Sequence, residues 1–287
     1  MVRIHARIVL RYDVGPQGAD FIFNLQAART AQQSVVWEQL AIRPFVFSLE
    51  SFDPATSNRT LRLTAPPGPL ELDYRCTVDL RHHVQLPHEV DEVPIAQLPL
   101  SVLPYLYPSR YCQSDCLGPL VMGLFGHLPR GYGRVQAVLD WVGRQVKFKS
   151  NSSNSATSAL DTLRDRVGVC RDFAHLFIAL CRALNIPARF ATGIDYGADP
   201  ALGPQDFHAY VEVYLGQRWY IFDPSGTAIP MGFIRIGTGR DAADVSFATI
   251  FGAFQSTPPV IEISAEPGPA SGFELPQHRP WAISTAV

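Results

Sequence analysis

The feature that most constrains the fold is a hairpin signal in the last third of the chain. Residues 207–215 alternate strictly between two faces, which is the period of a β-strand. One face carries Ala209, Val211 and Val213, and the other carries His208, Tyr210, Glu212 and Tyr214. Gly216-Gln217 follows directly and predicts a two-residue turn of type II′. We therefore predict two antiparallel strands that pair without a slip.

The length of this turn sets which residues face each other. A two-residue turn places Leu215 opposite Arg218, and continuing the same register places Tyr210 opposite Asp223. His208 and Asp223 then share one face as diagonal neighbours, roughly 7–8 Å apart along the backbone. Two side chains can bridge that separation with a hydrogen bond, whereas a one-residue slip would put them on opposite faces.

A buried helix is predicted immediately after Cys170. Apolar residues continue from Phe173 to Leu184, and Asn185-Ile186-Pro187 ends the pattern. Cys170 therefore lies in the first turn of the helix, where free backbone amides and the helix dipole are expected to lower the thiol pKa. We also expect the backbone N–H of Cys170 to stabilise an oxyanion.

Together these residues are the parts of a cysteine nucleophile with its base and its orienting acid. Cys170 supplies the thiol, His208 the base and Asp223 the acid that orients the imidazole. Each has an ordinary structural interpretation: a packed cysteine, as Cys181 is interpreted, a hydrogen-bonded strand histidine, or an aspartate before proline that forms a turn. The agreement of residue type, chain order and facing favours the catalytic interpretation.

At these residues the chain resembles the transglutaminase-like superfamily, in the bacterial form described as a cysteine protease. The resemblance is carried by Gly168–Leu176, Ala183–Arg189, His208–Glu212 and Trp219–Pro224. It implies that Cys170, His208 and Asp223 are the catalytic triad of an α+β protein, in which a nucleophile helix packs on an antiparallel sheet. The chain lacks the acidic calcium loop of the animal enzymes, so calcium activation is not expected.

The resemblance implies a thioester on Cys170 but not what resolves it. We expect hydrolysis, or limited amide exchange, of peptide, isopeptide or glutamine carboxamide bonds, with protein crosslinking through an amine acceptor as the alternative. From another class, the domain would be a catalytically idle peptide-binding module. The residues expected to support the catalytic side chains from behind or to line the substrate cleft are Asp172, Tyr196, Tyr210 and Trp219. Core packing explains the three aromatic residues equally well.

Two other thiol families fit less well. Arylamine N-acetyltransferases use the same chain order, but their cysteine lies in the first third of the chain, whereas Cys170 lies past the middle. Papain-like proteases use asparagine as the third member, and here the acid is Asp223.

Composition describes an ordinary globular enzyme. The chain has 287 residues, 47% of them hydrophobic, and a net charge of −2 that gives no reason to expect nucleic acid or membrane as a partner. Strand 1–14 has no uncharged leader segment, and the odd number of cysteines, 5, favours a reducing compartment, so we expect a cytoplasmic protein. No metal site or cofactor is predicted. Cys112 and Cys116 lack a second Cys or His pair at zinc-finger spacing, and His82-His83 with His88 lie in a proline-rich loop at the end of a strand, where solvated histidines are expected.

Three regions are predicted along the chain. Residues 1–100 read as a β-sandwich, residues 101–264 as the catalytic domain, and residues 265–287 as a Pro/Gly-rich tail. Within the second region we predict helices over 113–128 and 134–146. The polar residues 150–155 form a surface loop before the catalytic helix, interpreted as a connection in preference to a lid.

Overall fold

The structure is a computed structural model that describes residues 1–197, 205–268, 272–284 and 286. It confirms the predicted α+β class, since helices pack on mostly antiparallel sheets. The strands of the first half are β1 Val2–Val14, β2 Ala19–Phe23, β3 Gln33–Arg43, β4 Ser48–Phe52, β5 Arg59–Ala65, β6 Gly68–Leu80 and β7 His83–Gln85. The central elements are α1 Gly118–Phe125, α2 Tyr132–Gln145, β8 Lys147–Phe148, α3 Ala159–Asp165, β9 Val167–Gly168 and α4 Cys170–Ala183. The remaining strands are β10 Ala188–Asp195, β11 His208–Leu215, β12 Arg218–Phe222, β13 Phe233–Gly239, β14 Ala248–Phe251, β15 Phe254–Ser256, β16 Val260–Ala265 and β17 Ala282–Ser284.

The N-terminal region consists of two sheets that bury a common core, as the sandwich prediction requires. One sheet has the order β15-β1-β6-β3, with β16 also paired to β1, and the other has the order β14-β2-β5-β4. Alternate residues of the long central strands point inward, among them Ile4 and Ile8 on β1 and Leu72 and Tyr74 on β6. This alternation is what a sheet buried on one face requires.

The last strands of the chain return to this sandwich. β16 pairs with β1 from Ile4↔Ala265 to Val9↔Val260, and β14 pairs with β2 on the second sheet. The predicted boundaries placed residues up to 264 in the catalytic domain, and the structure differs because these short strands complete sheets that begin at the N-terminus. In the predicted tail, β17 pairs with β7.

The sheet that carries His208 has the order β12-β11-β10-β13 and is antiparallel throughout. One face of β11, with Ala209, Val211 and Val213, shares a core with the apolar residues of α4. The other face presents Tyr210 to the core of the N-terminal sandwich. The sheet is therefore buried on both sides, which explains why every residue of β10 and β11 is buried.

The predicted hairpin register is confirmed, whereas the predicted turn type is wrong. β11 and β12 pair from Leu215↔Arg218 to Val211↔Phe222, as the two-residue loop predicts. Gly216 has φ of 50° and Gln217 has φ of 65°, and positive φ at both positions defines a type I′ turn in place of type II′. Both turns match the twist of the strands, so the register does not depend on the difference.

The predicted helices differ from the structure mainly at their ends. The helix predicted over 113–128 is split into a short 3₁₀ turn at Ser114–Cys116 and α1, with Pro119 in the first turn of α1. The helix predicted over 134–146 is α2. In the described residues no helix has the length and apolarity that a membrane crossing demands.

Candidate active site

Cys170 is the first residue of α4, as the sequence predicts. The side chain of Asp172 fixes this helix start, since its Oδ2 accepts a hydrogen bond of 2.8 Å from the backbone N–H of Val169. Asp172 is fully buried, and its position explains the close approach of Gly168, where a Cβ atom would lie 2.7 Å from that of Asp172. Asp172 therefore acts through the helix start and not as a group that lines the cleft.

The thiol pKa contradicts the expectation from the helix dipole. Burial raises the pKa of Cys170 to about 12, and the carboxylates of Asp223 and Asp206 add to the increase. Hydrogen bonds from the backbone of Ala209 and of Arg171 lower the pKa but do not compensate. Cys170 therefore rests as a neutral thiol and needs a base to remove its proton.

His208 is the first residue of β11 and contacts Asp223, which follows directly after β12. Nε2 of His208 lies 3.3 Å from Oδ1 of Asp223. Because a carboxylate only accepts, Nε2 carries the hydrogen and Nδ1 is the basic nitrogen. This is the diagonal pair that the hairpin register predicted.

The two side chains stabilise each other's charged form. Burial lowers the pKa of His208, but the hydrogen bond and charge of Asp223, with the charge of Asp195, outweigh it, so the pKa is raised overall. Burial raises the pKa of Asp223, but the hydrogen bonds from His208, Ser225 and Ala228 lower it by more. The pKa of Asp223 is therefore lowered overall. Asp223 is therefore an ionised acceptor that favours an imidazolium.

Asp223 also holds the loop that follows it. Its Oδ1 accepts hydrogen bonds from the Ser225 hydroxyl at 2.6 Å and the Ser225 backbone at 3.1 Å, and its Oδ2 accepts one from the Ala228 backbone at 3.0 Å. These contacts fix the carboxylate in the orientation that His208 uses.

Cys170 and His208 line one cleft with a volume of about 690 Å³. An aromatic wall is formed by Phe207 and Phe247, whose rings stack at 4.5 Å. The cleft is also lined by Ser150, Asn151 and Ser153 of the polar loop predicted from the sequence. A volume of this size accommodates several residues of an extended peptide or a comparable small substrate.

The polar loop is attached to the catalytic helix through Arg171. Its Nη2 donates a hydrogen bond of 2.9 Å to the backbone oxygen of Asn154 and one of 3.3 Å to the hydroxyl of Ser153. The next residue along the loop, Ser155, accepts from the hydroxyl of Tyr111 at 2.7 Å. The loop is therefore a fixed wall of the cleft, in agreement with its interpretation as a connection.

The remaining predicted site residues lie in different places. Tyr210 packs against the imidazole of His208, with ring centroids 4.6 Å apart. Trp219 packs with Tyr105 and Tyr214 in a separate cluster, and none of Trp219, Tyr196 and Tyr210 is among the described residues that line the cleft. Of the aromatic residues assigned to the cleft, the structure brings only Tyr210 to the triad.

The sequence did not indicate two acids of the site. Asp195, the last residue of β10, is buried, and its Oδ1 lies 3.9 Å from Nδ1 of His208. Burial raises the pKa of Asp195 to about 6, with the imidazole of His208 opposing this and Asp223 adding to it. Asp206 is exposed and lines the cleft. The pairing Gly193↔His208 brings Asp195 close to the imidazole of His208. Asp195 could have been predicted as a site residue only if that pairing had been known.

No metal centre is formed by the parts of the chain described: they contain no group of three His, Cys, Asp or Glu side chains with suitable geometry. Cys112 is buried while Cys116 is exposed, so this pair does not share an environment.

Comparisons with known proteins place this geometry in a family. Residues 123–224 match the model of the transglutaminase-like superfamily, and residues 3–101 match the N-terminal domain of bacterial transglutaminase. The crystal structure of a "Putative Cysteine Protease" from Cytophaga hutchinsonii superimposes with a TM-score of 0.89 at 38% identity, covering 99% of this chain and 97% of that one. The chain therefore belongs to the transglutaminase-like superfamily, with the bacterial type of N-terminal domain.

Curated relatives match only in part. The protein ML0607 of Mycobacterium leprae is 30% identical over 125 residues, which cover 42% of this chain and 44% of that protein. The human kyphoscoliosis peptidase is 24% identical over 127 residues, covering 41% of this chain and 19% of its own length. The matched segment spans less than half of the curated relatives. Family and neighbour together support a cysteine-dependent activity.

Proposed function

We propose that the protein hydrolyses amide bonds through a thioester on Cys170, with peptide, isopeptide or glutamine carboxamide bonds as substrates. The observation that carries the proposal is the contact of His208 with Asp223 in the cleft that Cys170 lines. That contact leaves Nδ1 of His208 as the basic nitrogen in the cleft that the Cys170 thiol also lines, and a thiol with a high pKa needs such a base.

The proposed reaction begins with transfer of the thiol proton of Cys170 to Nδ1 of His208 as sulfur attacks the carbonyl carbon. The oxyanion is stabilised by backbone N–H groups at the start of α4, including that of Cys170, which the helix itself leaves free. The imidazolium, held by Asp223, then protonates the leaving amine. The acyl group remains on sulfur as a thioester, and an acyl acceptor completes the turnover.

We favour hydrolysis over crosslinking because polar side chains line part of the cleft that contains Cys170. Ser150, Asn151 and Ser153 form one side, and Asp206 is exposed at the cleft. Amine transfer needs a site that shields the thioester from water. Polar side chains in the cleft keep it accessible to water.

Casein is a suitable probe to test the proposal, with dansylcadaverine added as an amine acceptor and the products read by mass spectrometry. New peptide termini, or glutamine converted to glutamate, support hydrolysis. Dansylcadaverine adducts as the main product would overturn hydrolysis in favour of crosslinking. Absence of all three products, with casein retained on the protein, would instead support a peptide-binding module.

Asp223→Asn is expected to reduce kcat by about 10⁴-fold, because an amide can present its NH2 group to Nε2 and so stabilise the wrong imidazole tautomer. His208→Ala is expected to be at least as damaging, since it removes the base. Steady-state hydrolysis measures both effects. Ser225→Ala is the matched control, because it removes another hydrogen bond to the same carboxylate and leaves the imidazole in place. A larger loss in the control than in Asp223→Asn would show that Asp223 acts through its loop.

The rate of Cys170 alkylation by iodoacetamide is expected to increase with pH from about pH 5 to about pH 10. The thiol pKa is raised to about 12, so the thiolate fraction rises roughly tenfold per pH unit across this range. The measurement uses a Cys116→Ser background, because Cys116 is the exposed cysteine while Cys76, Cys112 and Cys181 are buried. A constant, fast rate below pH 7 would contradict this and would indicate a resting thiolate–imidazolium pair.

A further inference from the structure

Two buried polar groups on side chains close to the imidazole of His208 have no hydrogen-bond partner among the described residues. One is Oδ2 of Asp195 and the other is the hydroxyl of Tyr210. Asp195 is 4% exposed and Tyr210 is completely buried. A buried carboxylate oxygen without a partner is costly, and such groups in native proteins call for a ligand or an ordered water.

Both groups belong to the surroundings of one imidazole. Oδ1 of Asp195 lies 3.9 Å from Nδ1 of His208, and the ring of Tyr210 lies 4.6 Å from that of His208. The distance of 3.9 Å is too long for a direct hydrogen bond and short enough for one water to bridge the two atoms. Nδ1 is the nitrogen that must take a proton from the acyl acceptor.

Access from the cleft is compatible with this role for Asp195. Asp195 lines the cleft together with Cys170 and His208, whereas Asp223 lies behind the imidazole, on its Nε2 side. The main chain of Asp195 is also held, since Nε2 of Gln205 donates to its backbone oxygen at 3.4 Å. The carboxylate of Asp195 therefore faces the same nitrogen of His208 that the substrate reaches.

We propose that Asp195 and the hydroxyl of Tyr210 position the water that resolves the thioester on Cys170. This inference rests on the proposed hydrolytic function and assigns its second half-reaction. The water donates one hydrogen to Nδ1 of His208 and the other to Asp195. The tyrosine hydroxyl donates to the water oxygen, so that a lone pair remains for attack.

The step balances as an ordinary hydrolysis. The water oxygen forms a bond to the thioester carbon while one of its protons moves to Nδ1. The tetrahedral intermediate then collapses, the carbon–sulfur bond breaks, and the sulfur takes the proton back from Nδ1. The products are a carboxylic acid and the free thiol of Cys170. Asp195 neither gains nor loses a proton and acts as a positioning residue.

The inference predicts a selective effect on deacylation. With p-nitrophenyl acetate as the probe, the burst of p-nitrophenol reports acylation and the following steady state reports deacylation. Asp195→Asn is expected to keep the burst amplitude near one equivalent and to slow the steady state by about 10²-fold, as for loss of one positioning group. The burst also counts the correctly folded molecules, because only an intact site is acylated.

Two further variants separate positioning from charge and from folding. Asp115→Asn, at an exposed acid that does not line the cleft, is the control for loss of one carboxylate and is expected to change neither the burst nor the deacylation rate. Tyr210→Phe removes one oxygen atom and is expected to slow deacylation several-fold with an unchanged burst. Equal deacylation rates in wild type, Asp195→Asn and Tyr210→Phe would overturn the inference. Absence of a Cys170-dependent burst in wild type would instead overturn the proposed function itself.

Discussion

Replacement of Cys170 by alanine is expected to abolish turnover, with a loss of roughly 10⁶-fold in kcat, because the variant has no atom that can form the thioester. Cys170→Ser is expected to be almost as inactive, since a hydroxyl gives up its proton to His208 far less readily than a thiol. Hydrolysis of casein and the p-nitrophenol burst both measure the loss. The burst is the more direct readout, because it counts acyl groups bound to the protein.

The fold is expected to survive this change. Cys170 is half-buried at the first position of α4, and the buried part of the helix begins at Asp172. We therefore expect the free energy of unfolding to change by no more than about 1 kcal/mol. Cys116→Ala, at an exposed cysteine, is the matched control and should retain full activity. Turnover retained by Cys170→Ala would remove the basis of the thioester mechanism.

Replacement of Glu212 by alanine is expected to cause the largest loss of stability, about 3–5 kcal/mol. Glu212 is completely buried on β11, where it accepts hydrogen bonds of 2.6 Å from Arg189 and 2.8 Å from Arg235. Burial raises the pKa of Glu212, but the two guanidinium groups lower it by more than burial raises it. The pKa is therefore lowered overall, and the side chain is ionised. Its removal leaves two arginine charges in the core without a counterion. Urea unfolding with a constant m value measures the effect.

Two comparisons show whether the cost comes from the orphaned charges. Asp165→Ala breaks an ion pair with Arg164 at the surface, where Arg164 is 70% exposed, and is expected to leave the free energy of unfolding almost unchanged. Replacement of Arg189, Glu212 and Arg235 together by Met, Leu and Met removes all three charges and is expected to restore most of the lost stability. A triple variant as unstable as Glu212→Ala would mean that packing, and not charge, dominates at this position.

The His208–Asp223 contact and the position of Cys170 at the start of α4 were predictable because their determinants are local in the sequence. The alternation of β11 and the length of the turn fix the facing of His208 and Asp223, and the apolar run after Cys170 fixes the start of α4. The turn type was not predictable on the same basis: Gly216 suits both primed turns, and the choice depends on the φ of Gln217.

What the sequence missed depends on contacts between distant segments. The thiol pKa depends on how deeply Cys170 is covered and on the carboxylates of Asp223 and Asp206, so the helix start alone gave the wrong direction. Asp195 ends a strand that is buried throughout and therefore shows no alternation. Its approach to His208 requires the β10–β11 register, which no short turn defines.

Trp219 illustrates how sequence proximity misleads in a strand. It is four residues from Asp223, and a strand rises about 3.3 Å per residue, so the two lie roughly 13 Å apart along β12. At its own end of the strand Trp219 receives the guanidinium of Arg189 over its ring at 4.1 Å. It thus contributes to the charged core around Glu212 and not to the substrate cleft.

Because β14, β15 and β16 pair with strands of the N-terminal sheets, the sandwich can be completed only late in the synthesis of the chain. On the ribosome, β1 emerges first, yet its partners along one edge are Phe254–Ser256 and Val260–Ala265. The catalytic segment is thus made between two parts of the same sandwich. A nascent chain that already contains Cys170, His208 and Asp223 still lacks the strands that close the layer behind its catalytic sheet. The residues that we propose as the triad are therefore synthesised before Ala248, Pro258 and Pro259, which line the same cleft as Cys170 and His208.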